Sequence, residues 1–220
     1  MAGTDDPLGV PESPSIRVIQ LVDASAIGTP QALVSAELHR SMTSEDLVYV
    51  EDSWMPAREM GFAIALRDGR TLEHRHWDWR RKIESLKSGR HQIISIRRHG
   101  QFEGLMAVLV EPRSSRLIPG GDSVLYVDYL EAAPWNLKGM TDRPRYLGIG
   151  TRLIAEAVLI SREMGLEGRV GLHALPQAEE FYLNRCGMMR FGHDEHYYDL
   201  PYFEYTEQGA IRFLASLKIG

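Results

Sequence analysis

Arg145, Gly148 and Gly150 stand in the pattern Arg-x-x-Gly-x-Gly, and Thr151, Arg152, Leu153 and Ile154 follow at once as the start of an amphipathic stretch. Two glycines at this spacing let a backbone come close to an anion. A helix starting behind them offers unpaired N–H groups and the positive end of the peptide dipole. The backbone of Gly148, Ile149, Gly150, Thr151 and Arg152 is therefore a candidate phosphate cradle, with Arg145 adding a backbone contact or its charge. Other chemistry-bearing groups are sparser. His74 and His76, and separately His193 and His196, lack the i, i+4 spacing of helical zinc sites, and no cysteine pair accompanies them, so no metal centre is expected. The single cysteine, Cys186, sits where a helix end needs a small buried residue and is not read as a nucleophile.

Composition narrows the classes around this turn. The chain has 220 residues, 44% of them hydrophobic, and a formal net charge of -5. That is enough to bury a substantial core, and the scattered Lys and Arg argue against nucleic acid as a partner. One cysteine cannot form an internal disulfide, no apolar run approaches the roughly 20 residues that cross a bilayer, and the N-terminus lacks a secretory pattern. A cytoplasmic protein with no membrane partner is the expectation.

The elements that must hold the turn are legible to different degrees. Residues 1–15, rich in Pro, Gly, Ser and Asp, are expected to be a disordered tail, with one domain over 16–220. Residues 16–22 have the β-branched density of a strand. Residues 30–39 suggest a helix with Pro30 in its first turn. Residues 41–69 show no sustained period and are expected to be irregular or to form short helices, whereas 73–86 read as a helix stopping at Gly89. Strands over 91–97 and 104–111 flank a hairpin signal at His99-Gly100-Gln101. After a loop broken at Pro119-Gly120-Gly121, a strand spans 123–132 and Pro134 ends it. A helix then runs from Gly148 to about Met164. A short strand covers 169–175, a helix 176–185, two strands 188–192 and 198–205, and a terminal helix 207–218. This order describes an α/β (α+β) chain with a mixed sheet and helices on its faces.

Arg145-Tyr146-Leu147-Gly148-Ile149-Gly150 resembles the acyl-coenzyme A signature of the GNAT superfamily of N-acetyltransferases. Residues 124–134 look like that fold's fourth strand, and Ala178, Tyr182 and Gly187 are similar to its second motif, with a Tyr four residues after the Ala and a Gly five later. The resemblance covers about residues 90–206. It implies a mostly antiparallel central sheet splayed between the fourth and fifth strands, acetyl-CoA as co-substrate, and backbone groups at Ala132 and Ala133 meeting the cofactor's pantetheine arm. One departure stands out: members often carry an Asn three residues before the motif's Ala, and Leu175 is there instead.

Within this resemblance the catalytic candidates are few. Tyr182 is placed to donate a proton to the departing thiolate, since a phenol near pKa 10 faces a thiol near 8.5. A carboxylate or imidazole must relieve the attacking amine of its proton, and Asp128, Glu131 and His173 are the choices. Strand alternation puts Asp128 and Glu131 on opposite faces, and Glu131 is preferred for its place beside the expected splay. Trp135 and Asn136, just past the strand, are expected to shape an acceptor pocket. The leading reading is direct acetyl transfer to a small-molecule or protein amine. A non-catalytic acyl-CoA-binding domain is the alternative. A dinucleotide oxidoreductase would need Gly-x-Gly-x-x-Gly after the first strand, which this chain lacks.

Overall fold

The computed structural model describes residues 15–70, 77–117 and 122–219. Residues 1–14 of the tail expected over 1–15, the pair His74 and His76, and the breaker at 119–121 lie outside them. The first strand, β1 (Ile16–Asp23), pairs antiparallel with β2 (Leu33–His39) over seven positions. The expected helix over 30–39 is therefore only a 3₁₀ turn at Pro30–Ala32. In Leu33–His39 cross-strand pairing with Ile16–Val22 outweighs the helix-start signal of Pro30.

Instead of irregular structure or short helices, α1 spans Ser44–Arg67, 24 residues with Pro56 inside it. Thr43 caps it reciprocally, its hydroxyl accepting from the Asp46 N–H and its own N–H donating to the Asp46 carboxylate. The buried stripe of α1 is Leu47, Val50, Glu51, Trp54, Arg58, Gly61 and Ala65, a helical period in which three of the seven are charged or glycine. That composition hides the helix from any count of apolar residues.

A 3₁₀ turn at Trp79–Lys82 leads into the short α2 (Ile83–Lys87), which replaces the described part, 77–86, of the helix expected over 73–86; residues 73–76 lie outside the described residues. The hairpin is formed by β3 (His91–Arg98) and β4 (Gln101–Leu109), with His99 and Gly100 both left-handed in its two-residue turn. Then come β5 (Arg113–Ser114), β6 (Ser123–Ala132), β7 (Tyr146–Leu147), α3 (Ile149–Glu163) and β8 (Val170–His173). The helix expected over 176–185 is a 3₁₀ turn, Pro176–Ala178, followed by a π-helical turn, Phe181–Cys186. The chain ends with β9 (Met189–Asp194), β10 (Leu200–Glu204) and α4 (Glu207–Ser216).

The strands form a sheet in the order β7-β1-β2-β3-β4-β6-β8-β10-β9, with β5 against β6. Every pairing is antiparallel except β6 with β8, so the mixed, mostly antiparallel sheet expected from the sequence is present. One face packs on α3 and α4 through Ile94, Met106, Val127, Leu153, Val158 and Phe213. The opposite face packs on α1 and the segment around Trp79 through Val50, Trp54, Ile93, Leu105 and Ala107. No helix among the described residues is long and apolar enough to cross a membrane.

Candidate active site

The parallel pair holds β6 and β8 together only at Leu125, Tyr126 and Val127, opposite Val170, Gly171 and Leu172. Beyond Val127 the two strands part, and the unpaired edge of β6 looks into a cleft of about 380 Å³. Leu130, Glu131 and Ala132 line one side of it, Gly148, Ile149 and Gly150 the end, and Leu175, Phe181 and Tyr182 the other side.

The glycine turn is built for close approach. Gly148 is the N-cap of α3 at φ +91°, and no side chain caps the helix. A Cβ on Gly150 would stand 3.0 Å from Phe181 Cζ. The N–H groups at the end of α3 are thus left for a ligand. Arg152, unlike its neighbours, is not free to join the cradle expected of it: its N–H already donates to the Gly148 carbonyl at 2.9 Å, and its guanidinium turns away to the Gln20 carbonyl at 3.0 Å. The open donors are confined to Gly148, Ile149, Gly150 and Thr151. Arg145 has both backbone groups engaged, its N–H with Trp135 and its carbonyl with Ala24. Only its charge is available, held by Gln101 and the Trp135 ring.

Ala132 lines the cleft, but Ala133 is fully buried and its N–H donates to the Glu103 carbonyl at 2.9 Å. A ligand cannot use that group. Asn136 borders the cleft as a brace: its amide donates to the Glu103 carboxylate at 2.6 Å, and its carbonyl accepts from the Tyr146 N–H at 2.9 Å. Trp135 does not line the cleft; it donates to Glu103 at 2.7 Å and packs edge-on to Trp54.

Glu131 is 4% exposed. Its carboxylate accepts from Trp79 Nε1 at 2.7 Å and meets Arg58 Nη2 at 3.4 and 3.5 Å. Burial pushes its pKa up to about 7, against the opposing pull of Arg58 and the Trp79 hydrogen bond. Across the cleft, Tyr182 is held by the π-helical turn, and burial raises its phenol well above the ordinary value, so it keeps its proton at neutral pH. Its hydroxyl has no hydrogen-bond partner among the described residues.

Asp128 departs from the expected alternation. Ala107 pairs with Tyr129 and Val108 with Val127, so Asp128 is the extra residue of a β-bulge. It lies on the same side of the sheet as Glu131, under Lys82, whose ammonium stands 3.2 Å from the Tyr129 ring centroid. Its oxygens are bound to His91 Nε2 and the Tyr197 hydroxyl, both at 2.7 Å. Burial opposes its charge, but these two hydrogen bonds outweigh that and lower its pKa. His173 is likewise enclosed, between the Tyr126 hydroxyl at 2.7 Å and Asp194 at 3.0 Å, with the Tyr197 ring stacked at 4.1 Å. Burial lowers its pKa. Neither Asp128 nor His173 lines the cleft. The buried Cys186 thiol is pushed up to about 12 by burial, which leaves it inert.

Glu51, Arg58 and Glu103 are site residues that no sequence motif singles out. Glu51 and Arg58 are seven apart on the buried stripe of α1, a signal that appears only once the helix is recognised. Among the described residues no cluster of His, Cys, Asp and Glu could hold a metal.

No sequence-family model matches the chain, and no curated protein matches it in sequence. Solved structures do. The PaiA N-acetyltransferase of Thermoplasma acidophilum, crystallised with coenzyme A, superposes with a TM-score of 0.52 at 16% identity, over 79% of this chain and 99% of that one. A protein of Desulfovibrio desulfuricans, described as an acetyltransferase of the GNAT family, gives 0.53 at 12% identity over 78% and 99%. The chain has the fold of the GNAT acetyltransferases.

Proposed function

We propose that this chain is an acetyl-CoA-dependent N-acetyltransferase that passes the acetyl group directly to an amine. One observation carries the reading: the same cleft between β6 and β8 is bordered by an uncapped helix N-terminus, a buried carboxylate and a phenol without a hydrogen-bond partner among the described residues. The residues fit an acyl-CoA. Gly148, Ile149, Gly150 and Thr151 would bind the pyrophosphate through backbone N–H groups, with the charge of Arg145 nearby. The open edge of β6 at Leu130 to Ala132 would meet the pantetheine arm.

The thioester supplies an activated carbonyl and a thiol leaving group. Glu131, with a pKa near 7, accepts the proton that the amine must lose as its nitrogen bonds to the carbonyl carbon. The carbon–sulfur bond breaks with its electron pair on sulfur, and Tyr182 donates to the thiolate; solvent then restores the phenol proton. A covalent acyl-enzyme finds no support in the buried, protonated Cys186.

Calorimetry with acetyl-CoA, followed by free-thiol release against a panel of small amines, amino acids and peptides, tests the proposal. Failure of acetyl-CoA to bind would sink it. Binding without acetylation of any amine would leave an acyl-CoA-binding domain, the reading favoured by Leu175 at the position of the family's Asn.

A further inference from the structure

Arg58 is buried between two carboxylates and treats them unequally. Its Nη1 donates to Glu51 Oε1 at 2.5 Å, whereas Nη2 reaches Glu131 only at 3.4 and 3.5 Å. Trp79 repeats the bridge in another way. Its backbone N–H donates to Glu51 Oε2 at 2.9 Å, and its indole N–H donates to Glu131 Oε2 at 2.7 Å. All four residues are buried, so solvent does little to screen the charges. A lone arginine beside a buried carboxylate would form a close ion pair and hold that carboxylate ionised. Here Glu51 takes the near edge of the guanidinium, and Arg58 also spends Nη1 on the Trp77 carbonyl at 3.2 Å. Two carboxylates thus share one cation.

We propose that Glu51 is a positioning residue for acetyl transfer: by holding Arg58 on its own side, it leaves Glu131 without a close ion pair and therefore able to take a proton from the acceptor amine. The proposal rests on Glu131 being the base. The other charged and titratable groups around Glu131 do not replace this arrangement. Lys82 stands over Tyr129, with its own charge disfavoured by burial. Asp128 is satisfied by His91 and Tyr197, and Glu103 of β4 by Trp135 and Asn136. Tyr182 faces the cleft from its far side as a neutral phenol.

Two substitutions move the balance in opposite directions. Glu51→Gln removes a neighbouring negative charge and frees Arg58 for Glu131, whereas Trp79→Phe removes a donor to the ionised form of Glu131. Glutamate labelled with ¹³C at the carboxyl, with the Glu131 resonance assigned by its loss in Glu131→Gln, reports the titration without any turnover. The expected result is a Glu131 midpoint about one pH unit lower in Glu51→Gln and higher in Trp79→Phe. An unmoved midpoint in Glu51→Gln, or a shift of the same sign in both variants, overturns the proposal. The base assignment is judged separately. In Glu51→Gln the acid limb of the kcat/KM profile should follow the NMR midpoint downward. A midpoint that moves while the profile stays in place removes Glu131 as the base and leaves the Glu51–Arg58 control of its proton intact. If Glu51→Gln does not fold, Glu51→Asp, which keeps the charge but shortens its reach to Arg58, must also lower the midpoint, by a smaller amount.

Discussion

Asn136 accepts the Tyr146 N–H at 2.9 Å through its side-chain carbonyl while its amide donates to Glu103 at 2.6 Å. The end of β6 is thereby tied to the two-residue strand that feeds the glycine turn. The cradle is fixed from the sheet side by this brace and from the outer side by β1, whose Val22 and Asp23 pair with Leu147 and Tyr146. Asn136→Leu removes both hydrogen bonds in a buried place, leaving the Tyr146 N–H and the Glu103 carboxylate short of a partner. The expected cost is about 1–3 kcal/mol of stability and an acetyl-CoA Kd raised about tenfold, measurable by thermal unfolding and calorimetry.

Glu131→Gln should lower kcat by about 10²–10⁴-fold, the usual contribution of a positioned base, with little change in the Kd for acetyl-CoA. In the wild type, with an acceptor whose amine is neutral throughout the range, kcat/KM should rise with pH and level off above about 7. A flat profile through that range removes Glu131 from the proton transfer.

The same group makes stability depend on pH. Folded Glu131 titrates near 7 and the unfolded chain near 4.5, so the native state binds more protons in between. Its contribution is most favourable below about 4.5, is lost as pH rises to about 7, and changes no further above that. The difference in Tm between Glu131→Gln and wild type should therefore grow in the variant's favour across this window. A difference that stays constant with pH would show that Glu131 titrates normally.

Tyr182→Phe removes a hydroxyl that has no protein partner among the described residues and lies beside the cleft. The Tm should stay within about 2 °C, since little stability is at stake, while kcat falls by about tenfold or more. The two readouts together separate a proton donor from a packing ring, and an unchanged kcat assigns the residue to packing.

Gly148→Ala puts a side chain at φ +91°, at a cost of about 1–2 kcal/mol. Gly150→Ala instead brings a Cβ to 3.0 Å from Phe181 Cζ in the mouth of the cradle. The first should lower Tm by several degrees. The second should mainly weaken acetyl-CoA binding, about tenfold by calorimetry. If both left the Kd unchanged, the cradle would not hold the cofactor at this turn.

Where local pattern and tertiary role agree, the chain announces its structure. β6 carries a β-branched and aromatic run and is found where that run predicts it, and α3 follows the glycine turn with an apolar face at helical spacing. α1 shows the opposite case, because Glu51 and Arg58 occupy stripe positions that packing alone would fill with leucine or valine, and Pro56 interrupts the pattern. The elements that were hardest to read are thus partly those that carry the site. Tyr182, Glu131 and the glycines were accessible from residue type and spacing. The engagement of the Arg152 and Ala133 N–H groups, the bracing role of Asn136 and the enclosure of His173 depend on partners 4 to 47 residues away.

The bulge at Asp128 makes β6 tolerant of shortening at that point. Val127 and Tyr129 already sit opposite consecutive residues of β4, Val108 and Ala107. Excising Asp128 would leave an unbroken ladder in which no other side chain of β6 turns over, whereas loss of Leu130, beyond the bulge, would turn Glu131 to the other face. Register alone thus permits the loss of Asp128, at the expense of the partner of His91 Nε2 and the Tyr197 hydroxyl. A shorter, flatter β6 would keep the cleft residues on their sides of the sheet, so the bulge places Asp128 without being needed to place Glu131.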